Sequence, residues 1–205
     1  MLASSLGKLE LADNKLNGTL DARFQTMTRL ERLVLDGNRF EGTLENILDC
    51  GNCSTTLASF SSKQNPLSGS FPPGLFGFSV LSNFALSKSR LTGSIPSGFG
   101  RLVSLTNLNL AENDYDFSPD DENNVLPSEL GRLTNLKNLE VSGSNVFGTV
   151  PSELSNLSRL DYLGIAATSQ TGSIAEEICA IDSLRTIRHS SGVACSCPGD
   201  VCQPI

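Results

Sequence analysis

The six cysteines are the first residues of this chain that could carry chemistry. Cys50 and Cys53 stand close together as C-G-N-C, while Cys179, Cys195, Cys197 and Cys202 crowd the C-terminal part. A four-thiolate zinc site prefers paired C-x-x-C spacings, and C-x-C followed by four residues and a Cys matches that poorly. Four cysteines in one terminal segment read better as mutually paired disulfides made in an oxidising compartment. C-G-N-C would need a βαβ context to act as a redox motif. The chain lacks that pattern, so Cys50 and Cys53 are read as a local bridge closing a loop.

His189 is the single histidine. Any Ser-His or Cys-His constellation would have to use it. It stands in a strand-like position near the C-terminus and reads as an ordinary surface residue. Asp114, Asp116, Ser118 and Asp120 mimic the start of a calcium loop, but Pro119 replaces the required Gly and no Glu closes the loop. A solvated acidic loop over Asp114 to Asn124 is the better reading. No glycine-rich phosphate loop remains, because a repeat accounts for the glycines. No enzyme, cofactor or metal is expected.

The net charge of -7 and pI near 4.7 argue against nucleic acid or an anionic membrane surface as the main partner. No apolar run is long enough to span a bilayer, so this segment is expected to make no membrane contact. Three N-x-S/T sequons, at Asn17, Asn52 and Asn156, point with the cysteines to an extracellular or cell-surface location. A glycan on Asn52 would compete for space with a Cys50–Cys53 bridge, which favours Asn17 and Asn156. Patterned sequence starts almost at once, at Leu6, with no basic region and apolar stretch of a signal peptide before it. The expectation is a fragment of a longer secreted or membrane-anchored protein, with Leu2, Leu6, Leu9 and Leu11 poorly covered in its first coil.

The elements that must position these residues follow from an internal period. Leu6, Leu9 and Leu11 return 24 residues later as Leu30, Leu33 and Leu35. The set continues through Leu57-Phe60-Ser62, Leu81-Phe84-Leu86, Leu105-Leu108-Leu110, Leu136-Leu139-Val141 and Leu160-Leu163-Ile165, then fades at Leu184 and Ile187. In phase with it run Asn14, Asn38, Asn65, Ser89, Asn113, Ser144 and Thr168, and then Gly18, Gly42, Gly69, Gly93, Gly148 and Gly172. L-x-x-L-x-L is a short strand with alternate side chains inward. One coil cannot bury those leucines alone, so coils must stack. An inward Asn can satisfy backbone groups at the bend, and Gly tolerates the geometry that follows it. Ser62 and Gln170 fall in apolar slots, and the fifth repeat lacks its Gly.

The combined pattern, clearest in L-T-G-S-I-P at Leu91 to Pro96 and V-F-G-T-V-P at Val146 to Pro151, resembles the plant-type leucine-rich repeats of receptor-like kinase ectodomains and polygalacturonase inhibitors. The resemblance implies an α/β-repeat, right-handed solenoid. A concave parallel sheet, short second strands and 3₁₀ turns would make up each coil, with a disulfide cap at the C-terminus. Seven repeats and a partial eighth would occupy residues 1–188, without an N-terminal cap, and the cysteine-rich cap residues 189–205.

The functional expectation is a non-catalytic extracellular module binding a protein, peptide or glycan on the concave face. The alternative is a structural or adhesive cell-surface or wall scaffold. A more remote reading, ice binding, rests on the hydroxyl row Thr19, Thr43, Ser70, Ser94, Thr149 and Ser173. Outward concave positions form one column of Lys8, Arg32, Ser59, Asn83, Asn107, Asn138, Tyr162 and Thr186, and a second of Glu10, Val34, Ser61, Ala85, Asn109, Glu140, Gly164 and Arg188. Strong protein hot spots use clustered aromatics and Arg, and these columns are poor in both. Weak polar recognition is expected, along Asn107, Asn109, Asn138, Glu140 and Tyr162.

Overall fold

The computed structural model describes residues 5–21, 24, 26–48, 56–113 and 124–205. Each L-x-x-L-x-L stretch forms a strand, and these strands make one parallel ladder in chain order. Its register is that of the sequence columns: Lys8 pairs with Arg32, Arg32 with Ser59, Ser59 with Asn83 and Asn83 with Asn107. From there it continues through Asn138 and Tyr162 to Thr186. A ninth strand, Cys202–Pro204, comes from the cap and pairs with Thr186–His189.

Alternation puts Leu33, Leu35, Leu108, Leu110, Leu139, Leu163 and Ile187 in a continuous core with no exposed surface. Repeats three and four fill their share with phenylalanines. Phe60 stacks on Phe84 at 5.6 Å between ring centres, and Phe71 meets Phe99 edge-on at 5.0 Å. Ser62 lies within this region, fully buried, and its hydroxyl has no protein partner. In the first coil Leu6, Leu9 and Leu11 are only half-buried, and Leu2 lies outside the described residues.

The Asn row holds consecutive coils together. Asn113 Nδ2 donates to Leu86 O at 2.7 Å and Leu110 O at 2.9 Å, and its Oδ1 accepts from Ser89 N at 3.1 Å. Asn38 and Asn65 repeat this bridge. The residue just before each of these positions is left-handed: Asp13, Gln64, Lys88, Glu112 and Ala167 have φ between 50° and 56°, and Gly37 and Gly143 take the same place. A side chain there costs backbone strain, and the interior hydrogen bonds at the bend overcome it.

The repeat glycines also have positive φ; at Gly42 the angle is 101°, and a Cβ would meet Thr19 Cγ2 at 2.8 Å. Beyond them, Pro72, Pro96, Pro127 and Pro151 are the extended residues that open 3₁₀ turns. Proline fits there because its ring fixes φ and the first turn needs no donor from it. A Cβ on Gly100 or Gly131 would collide with the backbone of the next turn, at Glu129 and Glu153, so these glycines set how closely the turns stack.

Second strands form one four-stranded sheet, from Asn17–Thr19 to Arg90–Leu91, and two separate pairs beyond it. The fifth coil, which lacks its Gly, contributes only a bridge from Val125 to Phe147. The row of second-strand hydroxyls is therefore interrupted at that coil.

In the cap, Cys179 is bonded to Cys197 and Cys195 to Cys202, with Cα atoms 5.0 and 5.9 Å apart. Cys50, Cys53 and Asn52 lie outside the described residues, as does the acidic insertion except Asn124. Asn124 is buried and donates to Asn145 O at 2.9 Å.

His189 departs from the surface reading. It takes the third inward slot of its strand, is 7% exposed, and its Nδ1 bonds Ser190 O at 3.1 Å. The fading of the pattern after Ile187 concealed that the alternation runs one step further.

Candidate functional site

Outward side chains of the concave sheet divide into two regions. In the first, polar groups bond to one another across five strands. Arg32 Nε donates to Glu10 Oε1 at 2.5 Å, and Arg32 Nη1 to Ser59 Oγ at 3.3 Å. Asn83 Nδ2 donates to the same Ser59 hydroxyl at 3.2 Å, and Asn107 Nδ2 to Asn83 Oδ1 at 2.8 Å. Ser59, Ser61 and Ala85 are buried although they point outward. Arg32 and Asn83 both reach over Ser59. Asp36 in turn takes bonds from Ser61 Oγ at 2.7 Å and Lys63 N at 2.8 Å.

The second region is open. A hollow of about 350 Å³ crosses the last five repeats, from Ser87 to Arg188. Its floor is made of small residues, Ser87, Ala111, Ser142 and Ala166, one alternation step beyond the Asn109–Glu140 column. Asn109, Glu140 and Arg188 rise on one side, and Ile205 of the cap closes the end. Ile205 is 64% exposed and is held by its N–H donating to His189 O at 3.1 Å.

Glu140 is fixed within this rim. Its Oε1 accepts from Ser142 N at 2.8 Å and its Oε2 from Tyr162 O–H at 2.7 Å. The carboxylate lies flat over Gly164, where any Cβ would collide with it. Burial first, and then the Glu140 carboxylate, push the Tyr162 phenol up to about 12, while Arg188 acts in the opposite direction. The phenol is thus a donor at neutral pH. Asn109 Oδ1 accepts from Ala111 N at 3.1 Å, which leaves its amide N–H groups facing outward.

Of the five residues singled out from sequence, Asn109 and Glu140 line the hollow and Tyr162 holds Glu140. Asn107 belongs to the self-bonded ladder, and Asn138 lies in the column beside the hollow. Sequence reasoning missed Ser142, Arg188 and Ile205. Gly164 was the available signal, a gap in a column otherwise filled by side chains. A larger trough, about 1080 Å³, lies on the second-strand side between the hydroxyl row and the Pro-opened turns. It is lined by hydroxyls, proline rings, Glu129 and Glu153, and gathers no fixed pair of opposite charges.

The architecture defines a leucine-rich-repeat solenoid. No protein-family model and no curated relative matches the chain. Solved structures do. One is the ectodomain of the Arabidopsis thaliana membrane receptor kinase GASSHO1/SCHENGEN3 in complex with CASPARIAN STRIP INTEGRITY FACTOR 2, at 26% identity and a TM-score of 0.78, covering 90% of this chain and 21% of that one. A second is the plant peptide hormone receptor RGFR1 in complex with RGF2, at 27% identity and TM-score 0.79, covering 98% and 31%. A third is the ectodomain of the Arabidopsis receptor kinase HAESA with an IDA peptide hormone, at 27% and 0.78, covering 89% and 30%. The chain shares the leucine-rich-repeat fold of these plant receptor ectodomains. It spans roughly a fifth to a third of the length of these receptor structures. Among its described residues no helix is long and apolar enough to cross a membrane.

Proposed function

We propose that the chain is a non-catalytic, extracellular recognition module that takes an extended, polar peptide segment across the C-terminal half of its concave face. The carrying observation is the hollow itself, with a fixed carboxylate, a neighbouring guanidinium and a floor of small residues. A strand-like segment laid there would place side chains over Ser87, Ala111, Ser142 and Ala166. Its cationic groups would meet Glu140 and Glu112, its anionic groups Arg188, and its backbone the amides of Asn109 and Asn138. The scarcity of aromatics predicts modest affinity, governed by hydrogen bonds and charge more than by apolar burial. That the three receptor structures above hold peptide or protein ligands supports the same reading.

Glycans on Asn17 and Asn156, both exposed, belong to this picture of a secreted or surface protein. Asn17 lies in a second strand and Asn156 ends a 3₁₀ turn, so both would leave the concave sheet clear.

The test is selection of peptides of about a dozen residues from a random displayed library, followed by amide hydrogen exchange with a selected peptide bound. Protection over Asn107–Asn109, Asn138–Glu140 and Tyr162–Ile165 is expected. Failure to recover any binder, or protection confined to the second-strand trough, would overturn the reading and favour a scaffold role.

A further inference from the structure

The two bridges of the cap lie against each other. Cys195 Sγ, bonded to Cys202, sits 3.9 Å from Cys197 Sγ, which is bonded to Cys179. The Sγ atoms of Cys195, Cys197 and Cys202 all fall within 4.8 Å of one another. Their accessibility differs. Cys195 and Cys202 are half-buried, whereas Cys197 is 8% exposed. Cys202 also begins the edge strand Cys202–Pro204, whose neighbour Ile205 closes the concave hollow.

We propose that the cap is a two-step thiol switch. A dithiol reductant opens the more accessible Cys195–Cys202 bridge, and the freed Cys195 then exchanges with the buried Cys179–Cys197 bridge. In the first step the dithiol passes two electrons to the bridge and closes to its own disulfide, leaving Cys195 and Cys202 as thiols. In the second the Cys195 thiolate attacks Cys197 Sγ. The Cys195–Cys197 bond forms as the Cys197–Cys179 bond breaks, and the electron pair leaves on Cys179, which takes up a proton. This second step is isoelectronic and needs no further reductant. The thiolate is the attacking species, so the exchange speeds up as pH rises toward the ordinary cysteine pKa of about 8.5.

The products differ from those of simple reduction. Cys179, at the end of the helical turn Glu176–Cys179, loses its tie to the cap, and the last strand keeps only its backbone pairing with Thr186–His189. The wall that Ile205 lends to the hollow is then no longer fixed by a bridge. This last consequence rests on the peptide-binding reading above, whereas the exchange does not.

The exchange can be isolated from reduction by Cys202→Ser, which leaves Cys195 without its partner and needs no reductant. After incubation at pH 8, acid quench, maleimide labelling and peptide mass mapping, label is expected on both Cys179 and Cys195, with a Cys195–Cys197 bridge recovered. Label on Cys195 alone, with Cys179–Cys197 intact, would overturn the proposal. Cys195→Ser/Cys202→Ser removes the attacking thiol and is expected to leave Cys179 unlabelled. Should the variants fold poorly, the unmodified chain under limiting dithiothreitol gives the same distinction. Label on Cys179 together with Cys202, and a Cys195–Cys197 bridge, supports exchange, and label confined to Cys195 and Cys202 contradicts it.

Discussion

Between Glu10 and Asn107 the outward side chains of the concave sheet bond to one another, whereas between Asn109 and Arg188 they stand around open space. Both regions are built on the same parallel ladder, in the same register, over one continuous hydrophobic core. The backbone therefore does not separate them. What differs is how the polar groups are satisfied. Arg32, Ser59, Asn83 and Asn107 use their donors internally, while Glu140 is locked by Ser142 and Tyr162 at the border of the hollow, beside Arg188. In the second region small residues keep the floor low and Glu140 is held beside open space.

Five substitutions sharpen or break this contrast. The largest effect belongs to Asn113→Ala, at the coil where the two regions meet. It leaves buried carbonyls of Leu86 and Leu110 and the N–H of Ser89 without their partner. A loss on the order of 3 kcal/mol in chemical denaturation is expected, whereas the exposed Asn14→Ala should change stability by less than about 1 kcal/mol. Next comes Glu140→Gln in a Tyr115→Phe background, followed by the phenolate absorbance of Tyr162. Removing the carboxylate lowers the Tyr162 pKa from about 12, leaving burial, which raises it, opposed by Arg188, which lowers it. Gly164→Ala, by lifting Glu140 off the strand, should move it in the same direction. An unmoved titration in both would break the proposed carboxylate clamp.

In the self-bonded region, Asn83→Ala should cost about 1 kcal/mol of stability and leave peptide affinity unchanged. Smallest is Arg32→Ala. Its ion pair with Glu10 is exposed on both sides, so less than about 0.5 kcal/mol is expected.

The period of 24 made the ladder, its register and its two outward columns legible, because an inward Leu every second residue fixes which side chains share a face. The same alternation failed at its fading end. His189 continues it inward where an apolar residue would be looked for. The burial of Ser59 was hidden too, since it depends on Arg32 and Asn83 reaching from neighbouring coils. Asp13, Gln64, Lys88, Glu112 and Ala167 share a left-handed backbone but no residue type, so nothing in composition marks that row. The hollow was half visible. Asn109 and Glu140 stood in the columns, but its end wall needs Ile205 carried back by the cap, a contact set by tertiary pairing with His189.

The central claim is that recognition belongs to the C-terminal half of the concave face. The most direct measurement compares two triple variants, Asn109→Ala/Glu140→Ala/Tyr162→Ala and Arg32→Ala/Ser59→Ala/Asn83→Ala, for affinity toward a library-selected peptide by calorimetry. Both must first show native far-UV dichroism. The account predicts a loss of roughly 100-fold, about 2.7 kcal/mol, in the first and less than about threefold in the second. Equal affinity of the first variant and the unmodified chain would contradict it.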